Sequence, residues 1–195
     1  MYTVIGSTKT RAFRVVWLLE ELGLTYTHLP LRAASDEVRP YNPTGKVPVL
    51  LDGDTTVTDS TAIMTYLADK HGALTNPAGT LDRARQDSLT HFLLDEFDAV
   101  LWTSARHSFI LPEELRMPAI KDSLRWEFAR SQTVLTHRMA DGPFLMGDTM
   151  TLPDILLTHC LVWGMIAKFP VTEPRLTDYL ARMRDRPAYL AAAAK

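Results

Sequence analysis

The chain has 195 residues, with 21 Lys and Arg against 23 Asp and Glu and a formal net charge of −2. The two signs are interspersed along both halves, which excludes the broad basic face a nucleic-acid partner requires. Apolar residues at 46% and charged residues at 23% describe a chain that buries a sizeable core and is not disordered. Its single cysteine, Cys160, excludes an internal disulfide, a CxxC redox pair and a cysteine-based zinc site, so the chain reads as cytoplasmic and Cys160 as a small core hydrophobe. No signal-peptide pattern precedes the first strand. The longest weakly polar stretch, 155–167, covers 13 residues, short of the roughly 20 a membrane helix needs. It is expected to be a buried core helix, with no membrane partner.

In chain order, residues 2–5 form a β-prone run, followed by a polar turn over 6–10. Residues 11–22 predict a helix whose apolar and polar positions separate at helical spacing, with Gly23 as its stop. A second strand is expected over 25–31, then a polar connection over 32–41. Residues 47–51 and 55–58 are β-rich and separated by Asp52-Gly53-Asp54, a hairpin signal. Asp59 and Ser60 then offer N-cap chemistry to a helix over 61–68. The order β-α-β, crossover, β-β-α is that of a thioredoxin-like α/β domain, expected over 1–75. Residues 76–84, with Asn76-Pro77 and Gly79, read as a linker. Strand patterns then cease, and an all-α helical domain is expected over 85–195, broken near 112–118 and 141–143.

Four segments carry a resemblance that spans nearly the whole chain: Trp17-Leu-Leu-Glu-Glu-Leu-Gly23; Asn42-Pro-Thr-Gly-Lys-Val-Pro-Val-Leu50; Asp59-Ser-Thr-Ala-Ile63 with Tyr66-Leu67; and Thr151-Leu-Pro-Asp154. In this order and spacing they resemble the cytosolic glutathione transferase (GST) superfamily, in a bacterial serine-type-like form. The resemblance implies the GST fold, glutathione as cosubstrate without a metal, a hydrophobic electrophile as second substrate, and a homodimer.

It also implies roles for individual residues. Val47, before a cis Pro48, would pair its backbone with the cysteinyl backbone of glutathione in a short strand-addition mode. Ser60, with its own N–H at a helix start, would hold the γ-glutamyl carboxylate, and Asp59 the α-amino group. Lys46 would meet the glycyl carboxylate, although a solvated surface lysine is its plainer reading. Thr151 and Asp154 match a capping box and are read as a folding feature.

A transferase of this kind must ionise the glutathione thiol at neutral pH. Lowering a thiol pKa of about 8.5 by two units takes roughly 2.7 kcal/mol of preferential thiolate stabilisation. One hydroxyl hydrogen bond plus a helix N-terminus is of that size. Ser7 is the chosen donor, with Thr8 and Thr10 as rivals. Arg11 and Arg14 either add positive potential or are solvated or at a subunit contact. Phe13, Trp102, Arg106, His107 and Phe109 are candidates to line the acceptor site, expected between the domains. The implied activity is conjugation of glutathione to an electrophile. The alternatives are a glutathione-dependent peroxidase, dehalogenase or isomerase, or a non-catalytic binding protein on the same scaffold.

Overall fold

Four short strands, β1 (Tyr2–Ile5), β2 (Tyr26–Leu29), β3 (Val49–Asp52) and β4 (Thr55–Thr58), form one sheet in the order β2-β1-β3-β4. β1 and β2 run parallel, whereas β1 with β3 and β3 with β4 run antiparallel. The Asp52-Gly53-Asp54 hairpin forms where the turn chemistry places it. β3 begins at Val49, two residues later than expected, with the cis Val47-Pro48 peptide just before it; Pro48 has no N–H to give to a ladder. Ile5, Val38 and Val49 make the core on one side, with Leu29, Leu31 and Val47 packed against them.

This computed structural model describes residues 1–195, which divide into two units, 1–77 with 183–195 and, separately, 78–182. In the first unit, α1 (Ala12–Glu21) follows β1 and α2 (Ser60–His71) follows β4. Gly23, at φ 63°, stops α1 in the left-handed conformation open to glycine, with Leu24 N–H returning to Leu19 O. The expected amphipathic α1 is instead buried on all sides from Ala12 to Leu19, Arg14 included.

The cover for its last face comes from far along the chain. α8 (Pro187–Ala193) packs on α1, and the Tyr189 ring stands edge-on, 5.1 Å from both Phe13 and Trp17. Arg186 donates through Nε and Nη2 to the two oxygens of Glu21, each at 2.7 Å, and Lys195 reaches Glu20 at 3.1 Å. The expected helical domain of 85–195 is therefore corrected at its far end: residues 183–195 belong to the first unit, because α1 is too apolar to leave a face in water. Its start is corrected as well, since α3 (Leu81–Leu93) opens within the expected linker, where the Thr80 side chain accepts the Arg83 N–H.

In the second unit the helix that begins as α3 runs to Ile110 without a break. It contains α4 (Ala99–Ala105) and two π-helical turns, Leu94–Asp98 and Arg106–Ile110. α5 (Ile120–Arg138), α6 (Leu152–Ile166) and α7 (Pro174–Arg184) follow, the last crossing the division between the units. Phe97, Phe128 and Phe169 form an edge-to-face series at 5.2 and 5.7 Å, and Cys160 is wholly buried in α6. The Asp154 carboxylate is buried at the start of α6. It accepts from Leu145 N–H and Thr151 N–H, each at 2.8 Å, and from Tyr179 Oη at 2.9 Å. Burial pushes this carboxyl up, partly opposed by those hydrogen bonds. No helix is long and apolar enough to cross a membrane.

Candidate functional site

The strand register brings three loops to one end of the sheet. Ile5, the last residue of β1, pairs with Val49, the first of β3, and Val49 pairs with Thr58, the last of β4. The turn 6–10, the Val47-Pro48 step and the Asp59-Ser60 step therefore all leave the sheet at the same edge. Gly6 ties two of them together. A Cβ added there would stand 2.8 Å from the Val47 Cβ and 3.0 Å from the Ala12 Cβ, so the turn, the start of α1 and Val47 are in close approach.

Within the turn the three hydroxyl residues differ. Thr10 Oγ1 donates to Ser7 O at 2.7 Å and accepts the Ala12 N–H at 3.2 Å, so its proton is committed to the entry of α1. Ser7 Oγ accepts only a long hydrogen bond from Lys9 N–H at 3.2 Å, which leaves its proton to give. Ser7 and Thr8 are both partly exposed. The positive end of α1 begins within this turn, with Phe13 N–H bonded to Thr10 O and Arg14 N–H to Arg11 O.

Asp59 adopts φ 72°, ψ 126° and caps α2, its Oδ1 accepting the N–H groups of Thr61 at 2.9 Å and Ala62 at 3.0 Å. Those two N–H groups are thus closed to a ligand, whereas Oδ2 is not used in the cap. Ser60 is 2% exposed, and its Oγ accepts from Arg14 Nη1 at 3.3 Å. Arg14 itself is wholly buried. Its reading as a solvated cation is corrected, since it lies beneath the start of α2. The Thr61 hydroxyl beside Ser60 is buried with no hydrogen-bond partner. Val47 is half-buried, and no turn or loop hydrogen bond takes up its N–H or C=O. Lys46 is exposed, its carbonyl accepting from Asn42 Nδ2 at 2.9 Å, which orders the loop that presents it.

The acceptor candidates divide. Phe13 belongs to the packing of the first unit against Trp17 and Tyr189 and is 8% exposed; it is core, and its place among the acceptor residues is corrected. Trp102, Arg106, His107 and Phe109 lie in the second unit, on α4 and the π-turn that follows it. Phe109 is 67% exposed, Arg106 donates to Thr103, and His107 Nδ1 accepts the Met117 N–H at 3.1 Å. Sequence reasoning did not single out the burial of Arg14 or the Thr61 hydroxyl, because one cation in an apolar helix and one threonine after a cap carry no spacing signal of their own.

Residues 10–70 match the family model described as glutathione S-transferase, N-terminal domain. The chain is 29% identical over 188 residues to glutathione S-transferase 4 of Zea mays, covering 90% of this chain and 83% of that protein. It is 25% identical to elongation factor 1-gamma of Prunus avium over 94% of this chain, but spans only 46% of that protein. The crystal structure of a glutathione transferase from Methylococcus capsulatus superposes with a TM-score of 0.85 at 27% identity, covering 98% of this chain and 97% of that one. With the thioredoxin-like sheet and the helical remainder, the chain has the glutathione S-transferase fold, and residues 10–70 match the N-terminal domain of that family.

Proposed function

We propose that the chain is a glutathione transferase that ionises glutathione at this sheet edge and directs the thiolate at a hydrophobic electrophile. The observation that carries the reading is the convergence of a hydroxyl with a free proton, an unpaired backbone step and a helix N-terminus underlain by a buried guanidinium. Val47 offers N–H and C=O to the cysteinyl backbone. Ser60, through its hydroxyl and N–H, holds the γ-glutamyl carboxylate, and the charge of Arg14 reinforces that contact. Asp59 Oδ2 takes the α-amino group, and Lys46 the glycyl carboxylate.

The cysteinyl sulfur then lies at the turn, where Ser7 Oγ donates to it. The hydrogen bond and the dipole of α1 favour the thiolate, and the thiol proton leaves to solvent. With a nitroaryl halide, the sulfur lone pair forms the C–S bond and the C–halogen bond breaks, releasing halide. Trp102, Arg106, His107 and Phe109 are proposed to line the acceptor side, in a homodimer.

Retention on immobilised glutathione followed by a conjugation assay tests the reading. Binding with turnover, and loss of turnover in Ser7→Ala, is the expected result; no binding at millimolar glutathione overturns it. The likeness to elongation factor 1-gamma favours one other reading, a non-catalytic binding module. Glutathione that fails to raise the melting temperature supports that second reading.

A further inference from the structure

We infer that His28 is a positioning residue that aims the Ser7 hydroxyl by holding the Gly6–Ser7 peptide plane. The inference rests on the reading of this sheet edge as the glutathione site, and deepens it. The carbonyl of Gly6 and the N–H of Ser7 belong to one peptide unit, the first tethered by a side chain of β2 and the second by the chain just beyond that strand. Ser7 N–H donates to Leu31 O at 3.1 Å, and Gly6 O contacts His28 Nε2 at 2.8 Å. A carbonyl oxygen only accepts, so Nε2 carries the proton and donates.

The imidazole does what the backbone there does not. β1 and β2 pair in parallel through Ile5 and Leu29, and Gly6 N–H continues the ladder to Leu29 O at 2.9 Å. The next ladder donor toward Gly6 O would come from beyond Leu29. Residue 30 is a proline without an N–H, and the Leu31 N–H turns back to Leu29 O at 2.8 Å. The His28 side chain, standing opposite Val4 in the register, supplies the missing donor.

That donor has consequences because of the residue it holds. Gly6 sits at φ 131°, a conformation side-chain-bearing residues rarely adopt, and the approach of Val47 requires it to lack a Cβ. A glycine peptide tethered at one end only is free to rotate. Rotation about this plane swings the Cα–Cβ bond of Ser7, and with it the hydroxyl, away from the sulfur. Misplacement of a catalytic group by about 1 Å can cost on the order of 10²-fold in rate. His28 touches neither glutathione nor the reacting atoms and acts through Ser7 alone.

The test compares wild type, His28→Leu and His28→Gln, whose side-chain amide places an N–H donor near the position of Nε2. The readouts are the pKa of bound glutathione, from its thiolate absorbance, the glutathione Kd from calorimetry, and kcat with a nitroaryl halide. His28→Leu is expected to raise the thiol pKa by about one unit, which takes a bound thiol with a pKa of about 6.5 from roughly three-quarters to roughly one-quarter thiolate at about pH 7. Its kcat should fall in parallel, and its Kd measured at about pH 5, where the bound thiol is protonated in both proteins, should stay at the wild-type value, while His28→Gln restores the thiol pKa and kcat. A His28→Leu variant with the wild-type thiol pKa, or a His28→Gln variant no better than Leu, overturns the inference. Failure of the underlying reading looks different: wild type itself then neither binds glutathione nor ionises its thiol.

Discussion

Arg14 and Ser60, 46 positions apart in sequence, are joined by a buried hydrogen bond in which the guanidinium Nη1 donates to the hydroxyl oxygen at 3.3 Å. Because Arg14 occupies the oxygen as donor, the hydroxyl proton of Ser60 is turned away from it and is available to an anion at the start of α2. Ser60→Ala removes that donor and the oxygen facing Arg14. The expected outcome is a glutathione Kd raised about tenfold in calorimetry, the equivalent of a single charge-assisted hydrogen bond.

The two hydroxyls of the first turn should separate by what they lose. Thr10→Ala removes the acceptor of the Ala12 N–H and the donor to Ser7 O, and should cost about 1 kcal/mol of stability in urea unfolding. Ser7→Ala should leave stability within about 0.5 kcal/mol. Its effect should fall instead on the thiol pKa and on kcat.

Much of this was legible from local chemistry. The Asp52-Gly53-Asp54 turn, the stop at Gly23 and the cap at Asp59 each depend on residues within a few positions of one another, and the structure has all three. What was not legible depends on partners far away. Arg14 reads as a surface cation until α2 is placed above it. His28 reads as a strand residue until Pro30 and Gly6 are seen side by side. Phe13 reads as ligand-lining until Tyr189 arrives from 176 positions later to cover it. The π-turns at Leu94–Asp98 and Arg106–Ile110 have no compositional mark, since one extra residue in a helical turn barely shifts the apolar period.

Asp154 gathers two backbone N–H groups and the Tyr179 hydroxyl into one buried carboxylate. Asp154→Ala leaves those donors without an acceptor and should cost about 3 kcal/mol in denaturant unfolding. Asp154→Asn retains one acceptor oxygen and should cost less. Activity per folded molecule should be unchanged in both, which separates a folding role from a chemical one.

The Glu20 carboxyl is subject to opposing effects. Burial raises its pKa, but hydrogen bonds from Tyr26 and Lys195 outweigh burial and hold it below the ordinary value. Tyr26 is pushed up to about 12 by its own burial and by Glu20, so it remains a donor across the physiological range. A depressed folded pKa stabilises the fold above the unfolded carboxylate pKa, and that contribution is lost as pH falls toward the lowered value. Tyr26→Phe should therefore move the midpoint of acid unfolding to higher pH, read by circular dichroism.

The bidentate contact of Arg186 with Glu21, and Tyr189 set between Phe13 and Trp17, make residues 183–195 part of the sheet-bearing unit. A growing chain emerges in sequence order, so 1–77 leaves the ribosome long before the segment that completes its core. All of 78–182 is synthesised in between. The unit that carries Ser7, Val47 and Ser60 thus has to wait, with the far side of α1 uncovered, until the helical unit has been made.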